Sequence, residues 1–224
     1  MDNEQKLTGY PSIDKPWLKY YSEEAINAPL PECTVFEYIW EHNNKQLQDN
    51  AIYYFNRKIS YGELFDNIEK TASALASVGV KAGDIVTLNL PSTPEMTYVF
   101  YALSRLGAVA NIIDPRADKD MLKYYLKEAE SKVFIFLDQC MPIVKTVLPE
   151  TAVETAVCVS ATESLPIINL LHKTGKSKNE FITWKQFIRR GIGTPYTIVF
   201  FKNVRMQYIS PLGLCILIKY LPIG

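Results

Sequence analysis

Few side chains in this sequence have the type and spacing that catalysis at a metal ion or a thiol requires. The candidates are four cysteines and two histidines: Cys33, Cys140, Cys158, Cys215, His42 and His172. No two cysteines form a CxxC pair, whereas zinc ligands are usually closely spaced along a chain. We therefore expect free thiols in a reducing compartment and no metal site.

Phosphate binding would need a glycine-rich loop, and the nearest match is the segment GIGTP at residues 191–195. It lacks the run of hydroxyl residues and the lysine of a phosphate loop, and it fits neither the Walker pattern nor GxGxxG after a strand. Lys173, Lys176 and Lys178 lie among Thr, Gly, Ser and Asn, which favours a solvated loop over a phosphate-binding patch. The sequence thus assigns no catalytic, cofactor-binding or metal-binding residue to this chain.

The elements that would position such groups alternate between strand and helix. Apolar runs predict strands at residues 51–55, 58–60, 85–90, 108–113, 133–137 and 156–159. Helical patterns follow Thr34, Ser60 and Thr93 and cover residues 118–129, 140–148 and 183–190. In the 118–129 helix, Met121 and Leu122 are both expected to face inward. Such alternation predicts an α/β fold with a mostly parallel sheet and helices on both faces.

Helix ends are marked by local signals. Thr34 with Glu37, and Ser60 with Glu63, are capping boxes, in which each side chain accepts a hydrogen bond from the other residue's backbone N–H. Gly107 is placed to end the helix that starts near Pro94. His42 falls near the end of the first of these helices, where an imidazole suits the helix dipole, so we expect a structural role for it.

Composition excludes some functional classes. Hydrophobic residues make up 48% of the 224 residues, enough for a packed core. The 24 basic and 24 acidic residues cancel, so charge gives no case for binding nucleic acid or an anionic membrane. The acidic N-terminus does not resemble a signal peptide, and the uncharged run at 206–218 is too short to span a bilayer. We expect a cytoplasmic protein with no transmembrane segment.

The chain divides into three parts by composition. Residues 1–33 are proline-rich and are predicted to be an extended lead-in; residues 34–190 carry the α/β pattern. Residues 191–224 form an irregular apolar tail without a single Asp or Glu, in which only Lys202, Arg205 and Lys219 are charged. A free tail of this kind would promote self-association. The abrupt loss of acids suggests a change of reading frame or an early stop between residues 191 and 201.

Four stretches, in order and in register, resemble the adenylate-forming enzymes of the acyl-CoA synthetase kind. They are ISYGEL at 59–64, VKAGDIV at 80–86, Pro94 with Glu95, and ALSRLGAV at 102–109 followed by Pro115. The resemblance covers about residues 34–159 and extends to 190 through ITWKQF at 182–187. It implies the first subdomain of the adenylate-forming enzyme fold.

The resemblance also implies a reaction. ATP and a carboxylic acid, with Mg²⁺, give an acyl-adenylate and pyrophosphate, and the thiol of CoA then takes the acyl group. The family's phosphate loop, adenine and ribose motifs and C-terminal lysine have no counterpart here. Glu63 is expected to be a helix cap, Asp114 an Asp-Pro turn residue and Arg116 a surface charge.

We therefore expect an N-terminal fragment of an ATP-dependent acid–CoA (fatty acyl-CoA) ligase that is inactive alone. The alternative is a non-catalytic remnant or interaction module that packs on a full-length partner. An unrelated dinucleotide-binding enzyme would fit the strand–helix alternation, but the chain has no glycine fingerprint for one.

Overall fold

A computed structural model describes residues 7–29, 31–166 and 181–199 of the chain. The chain divides into two compact units, Met1–Glu32 and Cys33–Gly224. The predictions for Cys215, His172, Lys173, Lys176 and Lys178, and for the tail beyond 199, lie outside the described residues.

The first unit contains short helical segments where the sequence suggested an extended lead-in. These are α1 (Pro11–Asp14), a 3₁₀ helix (Pro16–Tyr20) and α2 (Glu23–Asn27). Pro11 and Pro16 each occupy the first position of a helix, where the missing N–H is not needed, so proline starts these segments instead of preventing them. The hydroxyl of Ser22 caps α2 by accepting from the backbone N–H of Ala25 at 3.2 Å.

The second unit holds the predicted α/β elements. Its helices are α3 (Val35–Asn43), α4 (Tyr61–Ser77), α5 (Pro94–Leu106), α6 (Lys119–Glu128), α7 (Met141–Val147) and α8 (Trp184–Arg190). Its strands are β1 (Asn50–Tyr54), β2 (Arg57–Ser60), β3 (Ile85–Asn89), β4 (Val109–Ile112), β5 (Val133–Leu137), β6 (Thr155–Val159) and β7 (Ile182–Thr183). Two 3₁₀ turns, Asp138–Cys140 and Leu148–Glu150, flank α7.

Five strands form one sheet in the order β4-β3-β5-β6-β7, and every neighbouring pair is parallel. All five residues of β5 (VFIFL) are buried, as expected for a strand covered on both faces. β1 and β2 form a separate antiparallel hairpin. The predicted α/β class with a parallel sheet is therefore confirmed, and β7 is a strand that the sequence pattern did not indicate.

The strand order fixes where the helices lie. From β3 the chain passes through α5 to β4, which lies on one side of β3 in the sheet. It then returns through α6 to β5, on the other side of β3, and passes through α7 to β6. Because crossovers between parallel strands are right-handed, α5 covers one face of the sheet while α6 and α7 cover the opposite face. α4 packs against both α5 and α8.

Helix boundaries follow the local signals in the sequence. Both predicted capping boxes are present, at Thr34 with Glu37 and at Ser60 with Glu63, and a third joins Thr183 to Gln186. Gly107 ends α5 with φ = 68°, a conformation that favours glycine.

One prediction about helix orientation is wrong. Leu122 of α6 is buried, but Met121 is 44% exposed. The helix turns by about 100° per residue, so the buried stripe through Leu122 and Leu126 leaves Met121 at its margin.

Candidate functional site at the carboxyl ends of the strands

The topology indicates where a ligand would bind. Ligands of open parallel sheets bind beyond the carboxyl ends of the strands, at the point where neighbouring strands continue to opposite faces. β3 continues into α5 on one face, and its neighbour β5 continues into α7 on the other. The candidate site therefore lies between the segments that follow β3 and β5.

The turn after β4 borders this site and is held by an internal ion pair. Asp114 accepts hydrogen bonds from the backbone N–H of Arg116 at 2.8 Å and from its guanidinium at 2.6–3.2 Å. This lowers the pKa of Asp114 to about 2, chiefly through the guanidinium hydrogen bond, and raises the pKa of Arg116. Asn89, at the end of β3, donates to the carbonyl of Asp114 at 2.9 Å. Asp114 is thus a turn residue and Arg116 an exposed charge, as the sequence predicted.

A buried carboxylate lies on the other side of the site. Glu95, in the first turn of α5, is 2% exposed and accepts a hydrogen bond from the hydroxyl of Ser164. The carbonyl of Ser164 accepts from the guanidinium of Arg57 at 3.4 Å. Burial and then the charge of Glu95 raise the pKa of Tyr98 to about 12. These contacts attach the segment after β6 to the start of α5.

A second acidic group lies beside Ser164. Burial raises the pKa of Glu163. The ammonium of Lys185 in α8, 3.7 Å from the Glu163 carboxylate, acts to lower this pKa, and the charge of Glu95 acts to raise it. The charge of Glu163 is therefore partly balanced by Lys185.

The pKa values of the three described thiols are all raised. Cys140 donates to the carbonyl of Pro115 at 3.3 Å, and burial raises its pKa. Burial likewise raises the pKa of Cys158 to about 11 and that of Cys33 above its usual range. Such thiols stay protonated at neutral pH and are poor nucleophiles. The three described cysteines are free, as predicted.

One acceptor at the site is unsatisfied. A carboxylate oxygen of Asp138, which follows β5 directly, is buried and has no hydrogen-bond partner within residues 7–29, 31–166 and 181–199. Nothing else about this residue indicates chemistry. Within the same ranges, no group of three or more His, Cys, Asp or Glu side chains is arranged to hold a metal ion.

The other sequence candidates have structural roles. Nδ1 of His42 lies 2.7 Å from the carbonyl of Tyr38 in the last turn of α3, as expected for a helix-end residue. Gly191 packs against the backbone of α4, where an added Cβ would collide with Ser73 and Ala74. The glycine at the start of GIGTP thus allows α8 to approach α4 closely and does not build a phosphate cradle.

A small cavity lies at the opposite, amino ends of the strands. It measures about 200 Å³ and is bordered by Asp84, Glu130, Lys132 and Glu154. Pockets that bind small molecules usually measure about 300–1,000 Å³. Its size and its position both argue against a ligand site.

Apart from the unpartnered oxygen of Asp138, the polar groups described above at the carboxyl ends are hydrogen-bonded or ion-paired to other residues of the chain. Ser164 donates its hydroxyl proton to the carboxylate of Glu95, but these residues are only 5% and 2% exposed, so the hydroxyl is not open to a substrate as nucleophilic catalysis needs. Glu95 and Ser164 are the residues that sequence reasoning missed, because only tertiary structure shows that this first-turn acid is buried.

Comparison with known proteins establishes the family. Residues 39–198 match the model of the AMP-binding enzyme family. The chain belongs to that family. An acetyl-coenzyme A synthetase of Sinorhizobium medicae is 30% identical over 139 residues, which cover 61% of this AMP-binding chain and 20% of the relative. One from Shewanella baltica is 38% identical over 103 residues, covering 46% of the chain and 15% of the relative.

Solved structures support the same fold. A coronafacic acid ligase from Pectobacterium brasiliense aligns with TM-score 0.63 at 18% identity, covering 78% of this chain and 33% of that chain. A long-chain-fatty-acid–CoA ligase from Archaeoglobus fulgidus aligns with TM-score 0.60 at 16% identity, and the alignment covers 80% of this chain and 35% of that ligase. The chain thus spans at most about a third of these proteins and a fifth of the curated relatives named above. The predicted resemblance to adenylate-forming ligases is confirmed.

Proposed function

We propose that this chain is the N-terminal region of an ATP-dependent acid–CoA ligase. The observation that carries the proposal is the family match over residues 39–198 together with 30–38% identity to acetyl-coenzyme A synthetases. The complete enzyme would use ATP, Mg²⁺, a carboxylic acid and CoA, and would form an acyl-adenylate and then an acyl thioester. The described residues would form the support on which its reacting groups are placed.

A chimeric enzyme tests this role directly. Residues 39–198 replace the aligned region of the Shewanella baltica acetyl-coenzyme A synthetase, and acetate-dependent ATP–pyrophosphate exchange is measured. We expect exchange to survive, reduced by the imperfect interface. A folded chimera that binds ATP but shows no exchange would contradict the proposal.

We further propose that the chain is inactive by itself. Two observations support this: the sequence has no counterpart of the family's phosphate loop, and Gly191, at the start of the nearest candidate, packs against α4. The full chain should therefore show no ATP–pyrophosphate exchange with acetate, octanoate, palmitate or benzoate. A full-length relative is the positive control, and exchange above the no-acid background would disprove inactivity.

The acid is the least constrained part of the proposal. The sequence led us to expect a fatty acid, whereas the curated relatives named above are acetyl-coenzyme A synthetases. We therefore propose a small acid, with acetate first. ATP–pyrophosphate exchange by a complete enzyme that contains this region in its own sequence, measured with the same four acids, would distinguish the two expectations. We also propose a cytoplasmic location, which fits three free, protonated thiols. No helix among the described residues is long and apolar enough to cross a membrane.

The alternative function is a non-catalytic module that contacts a full-length partner. The acid-free, apolar composition of residues 191–224 favours it. Sequencing the encoding DNA beyond codon 191 distinguishes a fragment of a ligase from a non-catalytic module. A second frame that encodes a Ser/Thr/Gly-rich loop ending in Pro-Lys-Gly would identify a broken ligase gene, and its absence would favour the module.

A further inference from the structure

Residues 7–29 of the first compact unit are ordered by local polar contacts and contain no apolar core. Asp14 accepts hydrogen bonds from the backbone N–H groups of Thr8 and Gly9, each at 2.8 Å, and from the hydroxyl of Thr8 at 2.7 Å. None of residues 7–29 is buried. Ordering a backbone costs conformational entropy, and burial of apolar surface is the main term that offsets this cost in proteins. These residues lack, among themselves, the apolar contact that would stabilise their ordered form.

The unit instead exposes large apolar side chains. Seven of them are between 43% and 78% exposed: Leu7, Tyr10, Ile13, Trp17, Tyr20, Tyr21 and Ile26. Trp17 and Tyr20 lie three residues apart in a 3₁₀ helix, where side chains at this spacing are eclipsed, so these two share one face. Soluble monomers rarely expose apolar patches of more than a few hundred Å², and larger ones mark sites of interaction. The seven side chains therefore indicate a surface that contacts another molecule.

Charges of opposite sign flank the centre of this surface. Two lysines precede the pair Tyr20–Tyr21 and two glutamates follow it: Lys15, Lys19, Glu23 and Glu24. None of these four side chains has an ion-pair partner within residues 7–29, 31–166 and 181–199. Such a segment is complementary to itself, because in two copies that run in opposite directions Lys19 of each copy meets Glu23 of the other. The charges therefore favour a second copy of this chain over a partner of one charge sign.

The apolar area is also close to what a dimer needs. A covered aromatic side chain buries about 150–250 Å², so the seven partly exposed side chains offer roughly 500–800 Å² per copy. Interfaces of ordinary size bury about 600–1,000 Å² per partner. The available area lies at the lower end of that range, and we expect association at micromolar concentrations.

We propose that residues 7–27 form a two-fold interface between two copies of this chain. The copies run antiparallel about Tyr21, so that Trp17 of each copy lies beside Ile26 of the other, and Lys19 lies opposite Glu23. Burial of the aromatic side chains supplies the affinity, and the ion pairs at the rim fix the direction in which the copies meet. The interface is independent of the ligase activity proposed above.

Sedimentation equilibrium of the full chain at micromolar concentrations tests the proposal. The mass should rise from that of a monomer toward that of a dimer as the concentration increases. Trp17→Ala should weaken association by about tenfold or more, because aromatic side chains near the centre of an interface carry much of its binding energy. Tyr124→Ala is the matched control, since this tyrosine of α6 is 58% exposed and its removal should leave association unchanged.

Charge reversal tests the direction of the two copies. Lys19→Glu and Glu23→Lys each place like charges opposite one another twice in the two-fold contact, and each should weaken association by about tenfold. An equal mixture of these two variants should associate as the unmodified chain does, because each variant then meets the opposite charge in the other. Recovery on mixing also shows that both variants are folded.

Three results would contradict the proposal. A chain that stays monomeric over the whole concentration range would overturn it. Association that survives Trp17→Ala and both charge reversals would show that another surface, such as the apolar tail, is responsible. Weakened association of both charge variants without recovery on mixing would exclude the antiparallel two-fold contact and the proposal with it.

Discussion

The two ends of the parallel sheet hold their polar groups in different ways. At the carboxyl ends, Glu95 and Asn89 are at most 2% exposed and each has a defined hydrogen-bond partner. At the amino ends, Lys132 and Glu154 are 72% and 69% exposed and are joined by an ion pair of 3.5 Å. The cavity lies at the amino ends, among the exposed charges.

This difference shows that the fold buries polar side chains at the carboxyl ends of the sheet and leaves charged ones exposed at the amino ends. Burying polar groups is costly unless they are paired, so their presence at the carboxyl ends reflects a requirement for a fixed arrangement there. The exposed charges at the amino ends have no such cost and need no such explanation. The following predictions test the contrast, starting from the largest expected effect.

The largest effect is expected from the substitution Glu95→Ala. It leaves the Ser164 hydroxyl without its acceptor in a buried place and opens a cavity, so the free energy of unfolding should fall by about 2–4 kcal/mol. Urea denaturation measures this. The matched variant Glu154→Ala, at the amino end, should change the free energy of unfolding by less than about 0.5 kcal/mol. Similar losses for both variants would remove the distinction between the two ends.

Ser164→Ala should have an intermediate effect. It removes the donor but little volume, so we expect a loss of about 1–2 kcal/mol. The double variant with Glu95→Ala should be less destabilised than the sum of the single variants, because the two side chains share one interaction. Strict additivity in the same urea experiment would show that the hydrogen bond contributes nothing.

The Asp114–Arg116 pair predicts a pH effect. The folded-state pKa of Asp114 is lowered to about 2, below its ordinary 3.8. The pair therefore stabilises the protein above about pH 4, and this contribution is lost as pH falls toward 2. In Arg116→Ala the pKa should rise only part of the way, because the backbone N–H of residue 116 still donates. Carboxyl NMR titration measures the shift, and an unchanged pKa would contradict the assigned cause.

Lys132→Ala should have the smallest effect. Its ion pair with Glu154 is exposed at both side chains, and such pairs contribute about 0–1 kcal/mol. The change in stability should fall within about 0.5 kcal/mol and should vanish in 1 M salt. A salt-insensitive loss above 1 kcal/mol would show that the amino end is organised more tightly than its exposure suggests.

Much of the fold could be predicted because its signals are local. The buried stripe of α4, at Leu64, Ile68, Ala72 and Leu75, follows from their spacing alone. Capping boxes identified where α3 and α4 begin. β7 was missed because two residues carry no periodicity, and only pairing with β6 makes them a strand.

The site was harder to predict because its contacts join distant parts of the chain. Glu95 and Ser164 are 69 positions apart, and nothing near either residue indicates the other. Conversely, the lack of a phosphate loop could be recognised at once, because that motif is continuous in sequence. The helices of the first unit were missed because proline was interpreted as a breaker when it was a starter.

The order of strands in the sheet also has a consequence for synthesis on the ribosome. β3 and β4 can pair once residue 112 has been made, whereas β5, β6 and β7 join later, all on the far side of β3. The outer edge of β4 is therefore among the first surfaces to form, and none of these later strands covers it. A ribosome that pauses soon after β4 would present this edge, which has no charged side chain, to chaperones and to neighbouring nascent chains.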